Sequence, residues 1–264
     1  MKKKILSLFL VGVLSVVSLG CSSKVDETSK NNTESKPVEI YLTRHGKTML
    51  NTTERMQGWS DAPLTEPGVE VAEYLGKGFK EDGVKFDYVY SSDSGRAIET
   101  ANIVLDKSAQ TDLKLNQDKG LREVCFGIYE GEKTMEAWAD VAKANDMTID
   151  EMMKDFNMSK NLDLMDKVPG NEIAENSNEL AERVKSTIDK IVKDTEVNGG
   201  GNILIVSHGI TIISFLENVS PGCTADLKSG LENASVCKVK YENGTYTVES
   251  VNDMSYVEKG KNTN

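Results

Sequence analysis

Residues 38–46 read VEIYLTRHG, and residues 202–209 read NILIVSHG. Each stretch begins with an apolar, β-branched run that predicts a strand, and each ends in a His-Gly pair. The second run is continuously apolar, which is typical of a buried strand at the centre of a parallel sheet. In open α/β sheets, ligands bind at the carboxyl ends of the strands. His45 and His208, the only two histidines of the chain, are therefore predicted to lie at one edge of such a sheet.

The rest of the chain alternates strand and helix patterns. Strands are predicted at 38–43, 88–92, 113–116 and 202–207, and a closing hairpin around Asn243-Gly244 is predicted at 235–252. Apolar residues at helical spacing predict helices near 66–80, 97–105, 180–191 and 211–216, with Thr65 as the N-cap of the first. This alternation predicts an α/β fold with a mostly parallel central sheet and helices on both faces, in three layers.

Residues 132–172 differ from the rest and are predicted to form a small helical cap insertion. Six of the ten methionines fall between 135 and 165, together with Trp138 and Phe156. One interpretation is a pair of amphipathic cap helices in which methionine acts as adaptable filler. The other interpretation is a lid that shapes the choice of substrate. The sequence leaves both open.

The N-terminus has the pattern of a targeting segment. Three lysines, at positions 2 to 4, precede an apolar run at 5–19 that is too short for a comfortable membrane span, so residues 1–20 are predicted to be a signal peptide. Cys21 follows Gly20 directly, and this ending resembles a bacterial lipoprotein signal, which implies cleavage before Cys21 and lipidation of its thiol. A plain secretory peptide is the alternative.

The lipoprotein interpretation sets the expected domain organisation and location. Residues 21–36 are polar and predict a flexible, lipid-anchored linker, and residues 37–264 form the predicted catalytic domain. The protein is then expected outside the cytoplasm, anchored to the cell membrane through the lipid on Cys21. The sequence gives no indication of the oligomeric state.

Charge and cysteine content exclude several classes of function. The formal net charge of -11 argues against a nucleic-acid-binding protein, which would present a basic face. Besides Cys21, the chain has Cys125, Cys223 and Cys237, an odd number that does not fit a complete disulfide framework. A Cys223–Cys237 disulfide stays open. Without a CxxC motif or a His/Cys cluster, no metal site is predicted.

Two of the scarce arginines fall at the same predicted sheet edge as the histidines. The chain has 31 basic residues, of which five are arginines. Arg44 precedes His45, and Arg96 opens the helix that follows the 88–92 strand. An acidic protein binds anions only where positive groups gather locally, and helix N-termini at this edge favour anions as well. The edge that holds two histidines and two arginines is therefore the candidate site.

Ordered motifs along the chain resemble those of the histidine phosphatase superfamily, whose members include the cofactor-dependent phosphoglycerate mutases. The matching motifs are Thr43-Arg44-His45-Gly46-Lys47-Thr48, Asn51, Gln57-Gly58, Asp61, Pro63-Leu64-Thr65, Ser91-Ser92-Asp93, Arg96-Ala97, Leu121-Arg122-Glu123, Phe126-Gly127, Glu130-Gly131 and Ser207-His208-Gly209. The resemblance covers roughly residues 37 to 220 and is weak over 132–172. Met49, Lys47 and Ser94 depart from the common pattern, and these departures bear on substrate preference and local packing.

The resemblance implies a role for each residue at the edge. His45 would attack phosphorus and form a phosphohistidine intermediate. Arg44 and Arg96 would bind phosphoryl oxygens with their planar forks, and Asn51 would add a neutral donor. A protonated His208 would be a further phosphate-binding donor and, with the arginines, would keep His45 neutral through like charge.

Proton transfer is assigned to Glu123 by the same resemblance. Glu123 would protonate the leaving alkoxide and then activate water, while Glu130 and Glu172 are weaker candidates for this role. Arg55 and Arg122 are expected to be structural or to lie at the rim. Because arginines supply the positive charge, no metal ion or other cofactor is expected.

These inferences favour a metal-independent phosphomonoesterase that acts on small phosphate esters outside the cytoplasm. The first alternative is a phosphoglycerate mutase, whose substrates are cytoplasmic. The second alternative is a non-catalytic lipoprotein that binds a phosphorylated ligand, although binding alone needs neither a nucleophile nor an acid. The identity of the substrate is not encoded in any motif of the chain.

Overall fold

The computed structural model describes residues 36–154, 156–227 and 229–263. In these residues, six strands form one sheet in the order β3-β2-β4-β1-β5-β6. The strands are β1 (Val38–Arg44), β2 (Tyr88–Ser91), β3 (Leu115–Gln117), β4 (Gly201–Ser207), β5 (Val236–Glu242) and β6 (Thr245–Asp253). Strands β1 to β4 are parallel, and β5 and β6 run antiparallel to their neighbours. The predicted mostly parallel sheet is confirmed.

The register of the sheet aligns the ends of its central strands. Arg44 pairs with Ser207 across β1 and β4, and Ser91 of β2 pairs with Val206 of β4. The segments that follow these three strands therefore start at the same edge. The fold thereby places the His45 turn, the His208 turn and the helix that carries Arg96 side by side.

Helices cover both faces of the sheet, as the sequence predicts. The helices of the described residues are α1 (Met49–Thr52), α2 (Glu66–Glu81), α3 (Gly95–Lys107), α4 (Thr134–Ala144), α5 (Ile149–Lys154), α6 (Met158–Asp166), α7 (Ser177–Val197), α8 (Gly209–Val219) and α9 (Ser255–Lys261). Tyr41 and Leu204 pack in one core cluster with Phe79 of α2. Ile40 and Ile203, which point to the opposite face, pack in another core cluster with residues of α7 and α8.

Local signals place most element ends where the sequence predicts them. The Thr65 side chain accepts a hydrogen bond from the backbone nitrogen of Gly68 and caps α2 as expected. The closing hairpin turns at Asn243-Gly244, both at positive φ. Two short helices, α1 and α9, were not predicted. Helix α9 packs against α2 through close backbone contacts, and a Cβ at Gly78 would lie 1.9 Å from the Tyr256 carbonyl oxygen.

The 132–172 insertion contains three helices, α4, α5 and α6, instead of the expected pair. Helix α4 ends at a turn where Asp146 has a positive φ of 56°, and the Asn157 side chain caps α6 by accepting from the Lys160 nitrogen. Met152 and Met165 are buried in the main core cluster together with Trp138. These methionines therefore act as core filler, as one interpretation expects. The role of the insertion in substrate choice stays a prediction.

The predicted signal peptide, Cys21 and residues 21–35 of the linker lie outside the described residues. Lipidation, the domain boundaries and the location of the protein therefore stay predictions. Within the part of the chain that the structure describes, no helix combines the length and apolar character needed to cross a membrane.

Candidate active site

The two histidines meet at the carboxyl edge of the central strands. The backbone nitrogen of His45 donates to the carbonyl of Ser207, the last residue of β4, over 3.0 Å. The centroids of the His45 and His208 rings are 5.2 Å apart. His45 is 3% exposed and His208 is 0% exposed. The prediction that strand ends bring these two side chains together is confirmed.

Hydrogen bonding selects one tautomer of His45. Its Nδ1 lies 2.8 Å from the Gly46 carbonyl oxygen, which can only accept, so Nδ1 carries the hydrogen. Nε2 therefore has a lone pair, and it accepts a hydrogen bond from Arg96 Nε over 3.2 Å. A neutral imidazole that keeps the lone pair of Nε2, here engaged only by Arg96 at the strand edge, has the form that a nucleophile requires.

Electrostatics favours the neutral form of His45. Burial lowers its pKa well below the ordinary value, and the charges of Arg96 and then Arg44 lower it further. The hydrogen bond to Gly46 acts in the opposite direction, but desolvation is the larger influence. His45 is therefore neutral at physiological pH, as the mechanism implied by the resemblance requires.

His208 differs from the expectation that it carries a positive charge. Burial lowers its pKa well below the ordinary value, and the nearby Arg96, His45 and Arg44 lower it further. Its Nδ1 accepts a hydrogen bond from Arg96 Nε over 3.2 Å, so its hydrogen lies on Nε2. That buried Nε2 has no hydrogen-bond partner in the described chain. His208 is thus a neutral donor in this structure.

Arg96 is the fully buried cation that joins both histidines to the loop after α1. Its Nη2 donates to the Gly58 carbonyl over 2.8 Å, and its Nη1 donates to the Ser60 carbonyl and to Asp61 Oδ1, each over 2.9 Å. Asp61 Oδ2 also accepts from the backbone nitrogen of Gly95, the first residue of α3, over 2.6 Å. Asp61 therefore fixes both the guanidinium and the helix that carries it.

Arg44 lies on the other side of the histidine pair. Its Nη1 donates to the Leu231 carbonyl over 2.5 Å, and its Nε is buried without a hydrogen-bond partner in the described residues. Burial lowers the pKa of Arg44, while the charges of Glu123 and Glu232 raise it. The guanidinium thus retains an unused donor beside the histidines, as a phosphoryl-binding fork requires.

Gln57 is a candidate phosphate-binding residue to which the sequence analysis gave no role. Its Oε1 accepts from Thr48 Oγ1 over 2.6 Å and from Asn51 Nδ2 over 3.3 Å. Its Nε2 is buried and has no partner among the described residues. Asn51 itself forms a capping box with Thr48 at the start of α1. Asn51 therefore contacts Gln57 and Thr48 in this structure. The predicted role of Asn51 in binding phosphate stays a prediction.

The Glu123 carboxylate lies at the N-terminus of α8, which begins directly after His208. Its Oε1 accepts from the nitrogen and from Oγ1 of Thr211, each over 2.9 Å, and its Oε2 accepts from the Ile210 nitrogen over 3.0 Å. The residue is 6% exposed. These bonds place the predicted proton donor at the start of the helix that follows His208, and its charge raises the pKa of Arg44. Its role in proton transfer stays a prediction.

The weaker acid candidates have other contacts. The Glu130 carboxylate accepts hydrogen bonds from the backbone nitrogens of Gly58, Trp59, Ser60 and Phe126. It therefore holds the loop whose carbonyls orient Arg96. Glu172 is exposed and accepts from the Gly170 nitrogen. These contacts favour Glu123 over both as the group beside the histidine pair.

The remaining arginines are structural, in agreement with the expectation for Arg55 and Arg122. Arg55 donates to the Gly131 carbonyl over 2.7 Å. Arg122 forms a two-point ion pair with Asp93, with both N–O distances at 2.6 Å. Arg183 binds Glu175 in the same way and also donates to the Glu123 carbonyl over 3.3 Å. The two-point pairs of Arg122 and Arg183 use the planar fork that distinguishes arginine from lysine.

Asn233 is a positioning residue that sequence reasoning missed. Its Nδ2 donates to the His45 carbonyl over 2.9 Å, and the next residue, Ala234, donates its backbone N–H to the Arg44 carbonyl over 2.9 Å. Ala234 is fully buried at a φ of 62°, a conformation that costs energy for a residue with a Cβ. The only sequence signal was the position of this segment just before the closing hairpin.

The described residues contain no group of three His, Cys, Asp or Glu side chains arranged to hold a metal ion. Cys125, Cys223 and Cys237 have free thiols in this structure, and burial raises the pKa of Cys237 to about 11. The buried thiols are therefore protonated and unreactive at neutral pH.

The fold and the histidine pair at this edge agree with one family of known proteins. The sequence model of the Histidine phosphatase superfamily (branch 1) matches residues 40–254. The chain belongs to the histidine phosphatase superfamily. The match includes every predicted phosphate-site residue, from Arg44 to His208.

Individual relatives include mutases and phosphatases. A probable phosphoglycerate mutase, GpmB, of Yersinia pestis is 27% identical over 229 residues, which cover 84% of this chain and 95% of the relative. The crystal structure of a phosphoglycerate mutase from Bacillus anthracis is 50% identical, with a TM-score of 0.79, and the match covers 86% of this chain and 98% of that one. A phosphoserine phosphatase from Entamoeba histolytica, at 23% identity and a TM-score of 0.60, covers 83% and 98% and supports the fold alone.

The lowered histidine pKa values predict a pH-dependent stability. Below about pH 6.5 the unfolded chain binds protons at both histidines, whereas the folded chain does not, so the free energy of unfolding decreases as the pH falls. Each histidine can contribute up to about 1.4 kcal/mol per pH unit. Urea denaturation between about pH 7 and pH 5.5 measures this slope. His45→Gln and His208→Gln should each flatten it, and slopes equal to that of the wild type would contradict the assignment.

Proposed function

We propose that this protein hydrolyses phosphate monoesters through a phosphohistidine intermediate on His45. The observation that carries the proposal is the tautomer of His45, whose Nδ1 donates to Gly46 while its Nε2 keeps a lone pair that accepts from Arg96 Nε. A residue that only binds an anion would offer a hydrogen to it, whereas His45 offers an electron pair. This geometry suits attack on phosphorus.

The first half of the reaction transfers the phosphoryl group to the enzyme. His45 Nε2 forms a bond to phosphorus as the bond from phosphorus to the ester oxygen breaks. Arg44 Nε, Gln57 Nε2 and His208 Nε2, which are buried without partners among the described residues, would bind the phosphoryl oxygens. Glu123 would give a proton to the departing alkoxide, which leaves as the alcohol.

The second half returns the enzyme to its starting form. Glu123, now a carboxylate, takes a proton from water, and the resulting nucleophile attacks phosphorus. The bond from phosphorus to His45 Nε2 breaks, and inorganic phosphate leaves. The positive charge of the arginines takes the place of a metal ion in stabilising the transferring group. We therefore propose a metal-independent phosphomonoesterase with a small phosphate ester as its substrate.

Phosphoglycerate mutase activity is the second candidate. The 50% identity to the mutase structure from Bacillus anthracis supports it. Export from the cytoplasm, proposed from residues 1–20, supports the phosphatase, because mutase substrates are cytoplasmic. Assays with 2- and 3-phosphoglycerate separate the two functions: interconversion faster than phosphate release supports the mutase, and phosphate release alone supports the phosphatase.

We expect His45→Ala to lose the covalent intermediate and to reduce turnover by about four orders of magnitude or more. Wild-type protein mixed with a labelled phosphate ester and quenched in base should retain phosphoryl on Nε2 of His45, because Nδ1 is engaged with Gly46. Magnetic resonance of the isolated peptide distinguishes the two nitrogens. Near-normal turnover by a folded His45→Ala protein, or labelling elsewhere, would contradict the mechanism.

We expect Glu123→Gln to be impaired in proportion to how poor the leaving group is. The amide preserves shape but supplies no acidic proton, so phosphoenzyme formation from an alkyl phosphate should slow by ~10²–10⁴-fold. Formation from p-nitrophenyl phosphate should change little, because nitrophenolate leaves without a proton. Rapid-quench measurements on both esters test this, with the exposed Glu172→Gln as the matched control. Equal losses on both esters would mean that Glu123 only supports the start of α8.

We also propose that the mature protein is attached to the outer side of the cell membrane through a lipid on Cys21. The support is the lipoprotein-like ending of residues 1–20. Labelled palmitate supplied to expressing cells should enter the wild-type protein but not Cys21→Ala. If the wild-type chain is exported without label, the plain secretory interpretation replaces this one.

A further inference from the structure

Three exposed apolar side chains lie on segments that border the candidate site. Trp59 is 48% exposed, Ile128 is 54% exposed and Ile173 is 71% exposed. We call these three residues the apolar rim. Exposed apolar side chains on adjoining segments mark a binding surface when those segments are held together.

Two polar side chains, those of Glu130 and the buried Asn171, tie the segments of the apolar rim to one another. Glu130 Oε1 accepts from the Trp59 nitrogen over 2.7 Å and from the Phe126 nitrogen over 3.0 Å. Asn171 Oδ1 accepts from the Ile128 nitrogen over 2.7 Å, and the carbonyl of Asn171 accepts from the Ala174 nitrogen over 3.0 Å. The three backbone segments thus form one connected surface.

The apolar rim is continuous with the proton-transfer side of the site. Trp59 Nε1 donates to the backbone carbonyl of Glu123 over 3.1 Å. The Arg122 guanidinium lies over the indole, 4.9 Å from the ring centroid, and its charge is matched by the two-point ion pair with Asp93. One face of Trp59 is therefore supported by a neutralised pair, while nearly half of the residue stays exposed.

We propose that the apolar rim is the leaving-group subsite and selects phosphate esters of uncharged alcohols that carry an aromatic or bulky apolar group. This inference rests on the proposed function, because the ester oxygen must lie beside Glu123 to receive its proton. The alcohol then extends from Glu123 across Trp59. An aromatic group gains stacking and burial there. An alcohol with a carboxylate finds no unpaired cation in Arg122.

The test compares primary alkyl esters whose leaving groups have similar basicity. We expect kcat/KM for 2-phenylethyl phosphate to exceed that for propyl phosphate and that for 3-phosphoglycerate by about tenfold or more, the gain expected from burying a phenyl ring. Trp59→Ala should reduce the ratio of the phenylethyl to the propyl ester towards one, and Trp59→Phe should keep most of it. Ile128→Ser should lower the same ratio. Val197→Ser, at a 79% exposed position on α7, is the control that leaves both esters unchanged.

The ratio separates a subsite from a structural role of Trp59. If the indole only supports Glu123, Trp59→Ala will slow both esters equally and leave the ratio intact, which overturns the proposal. Equal kcat/KM for the esters in the wild type, or a preference for 3-phosphoglycerate, overturns it as well. If no ester is hydrolysed, the proposed function fails, and the subsite is judged by calorimetry with 2-phenylethylphosphonate and propylphosphonate. Equal affinity for the two phosphonates then overturns the subsite independently.

Discussion

The buried guanidinium of Arg96 is the group around which the site is organised. A buried cation costs several kcal/mol unless its donors are satisfied, and Arg96 makes five hydrogen bonds, to two imidazoles, two backbone carbonyls and Asp61. These bonds fix the tautomers of both histidines, and burial, followed by the charge of Arg96, lowers both of their pKa values. The same side chain thereby favours a neutral His45 that keeps the lone pair of Nε2 and a neutral His208 that carries its hydrogen on Nε2.

That arrangement depends on loops which carry no catalytic group. The Glu130 carboxylate gathers the backbone N–H groups of the loop that presents the Gly58 and Ser60 carbonyls to Arg96. On the opposite side, Asn233 and the strained Ala234 hold the carbonyls of His45 and Arg44. Because both supports bind backbone groups, they fix the position of the site and leave Arg44 Nε and His208 Nε2 without partners in the described residues.

Membership in the histidine phosphatase superfamily leaves the choice between hydrolysis and mutase chemistry to features outside the shared edge. The groups proposed to bind the phosphoryl oxygens suit both reactions, since each would begin with the proposed attack by His45. What differs is the alcohol that occupies the site and whether water enters. As the proposed leaving-group subsite, the apolar rim would bear on which alcohol the site accepts, although it contains no reacting atom.

The sequence alone determined the sheet, its central strands and the gathering of His45, His208, Arg44 and Arg96 at one edge. It could do so because strand periodicity is local and because parallel strands in one sheet end at a common edge. The sequence did not predict the short helices α1 and α9, which have few periodic residues. It also did not predict that the 132–172 insertion divides into three helices. Such elements form through contacts distant in sequence, as between α2 and α9.

Only the tertiary structure decided the protonation states and the supporting contacts. The neutral state of His208 follows from full burial beside Arg96, and neither burial nor distance can be read from residue order. The contact of Asn233 with His45 joins residues 188 positions apart, and no local pattern marks it. The apolar rim likewise exists only because Glu130 and Asn171 bring three loops together. Sequence patterns thus specify which residues reach the edge, and packing specifies their charge, tautomer and neighbours, because these depend on the distances that folding creates.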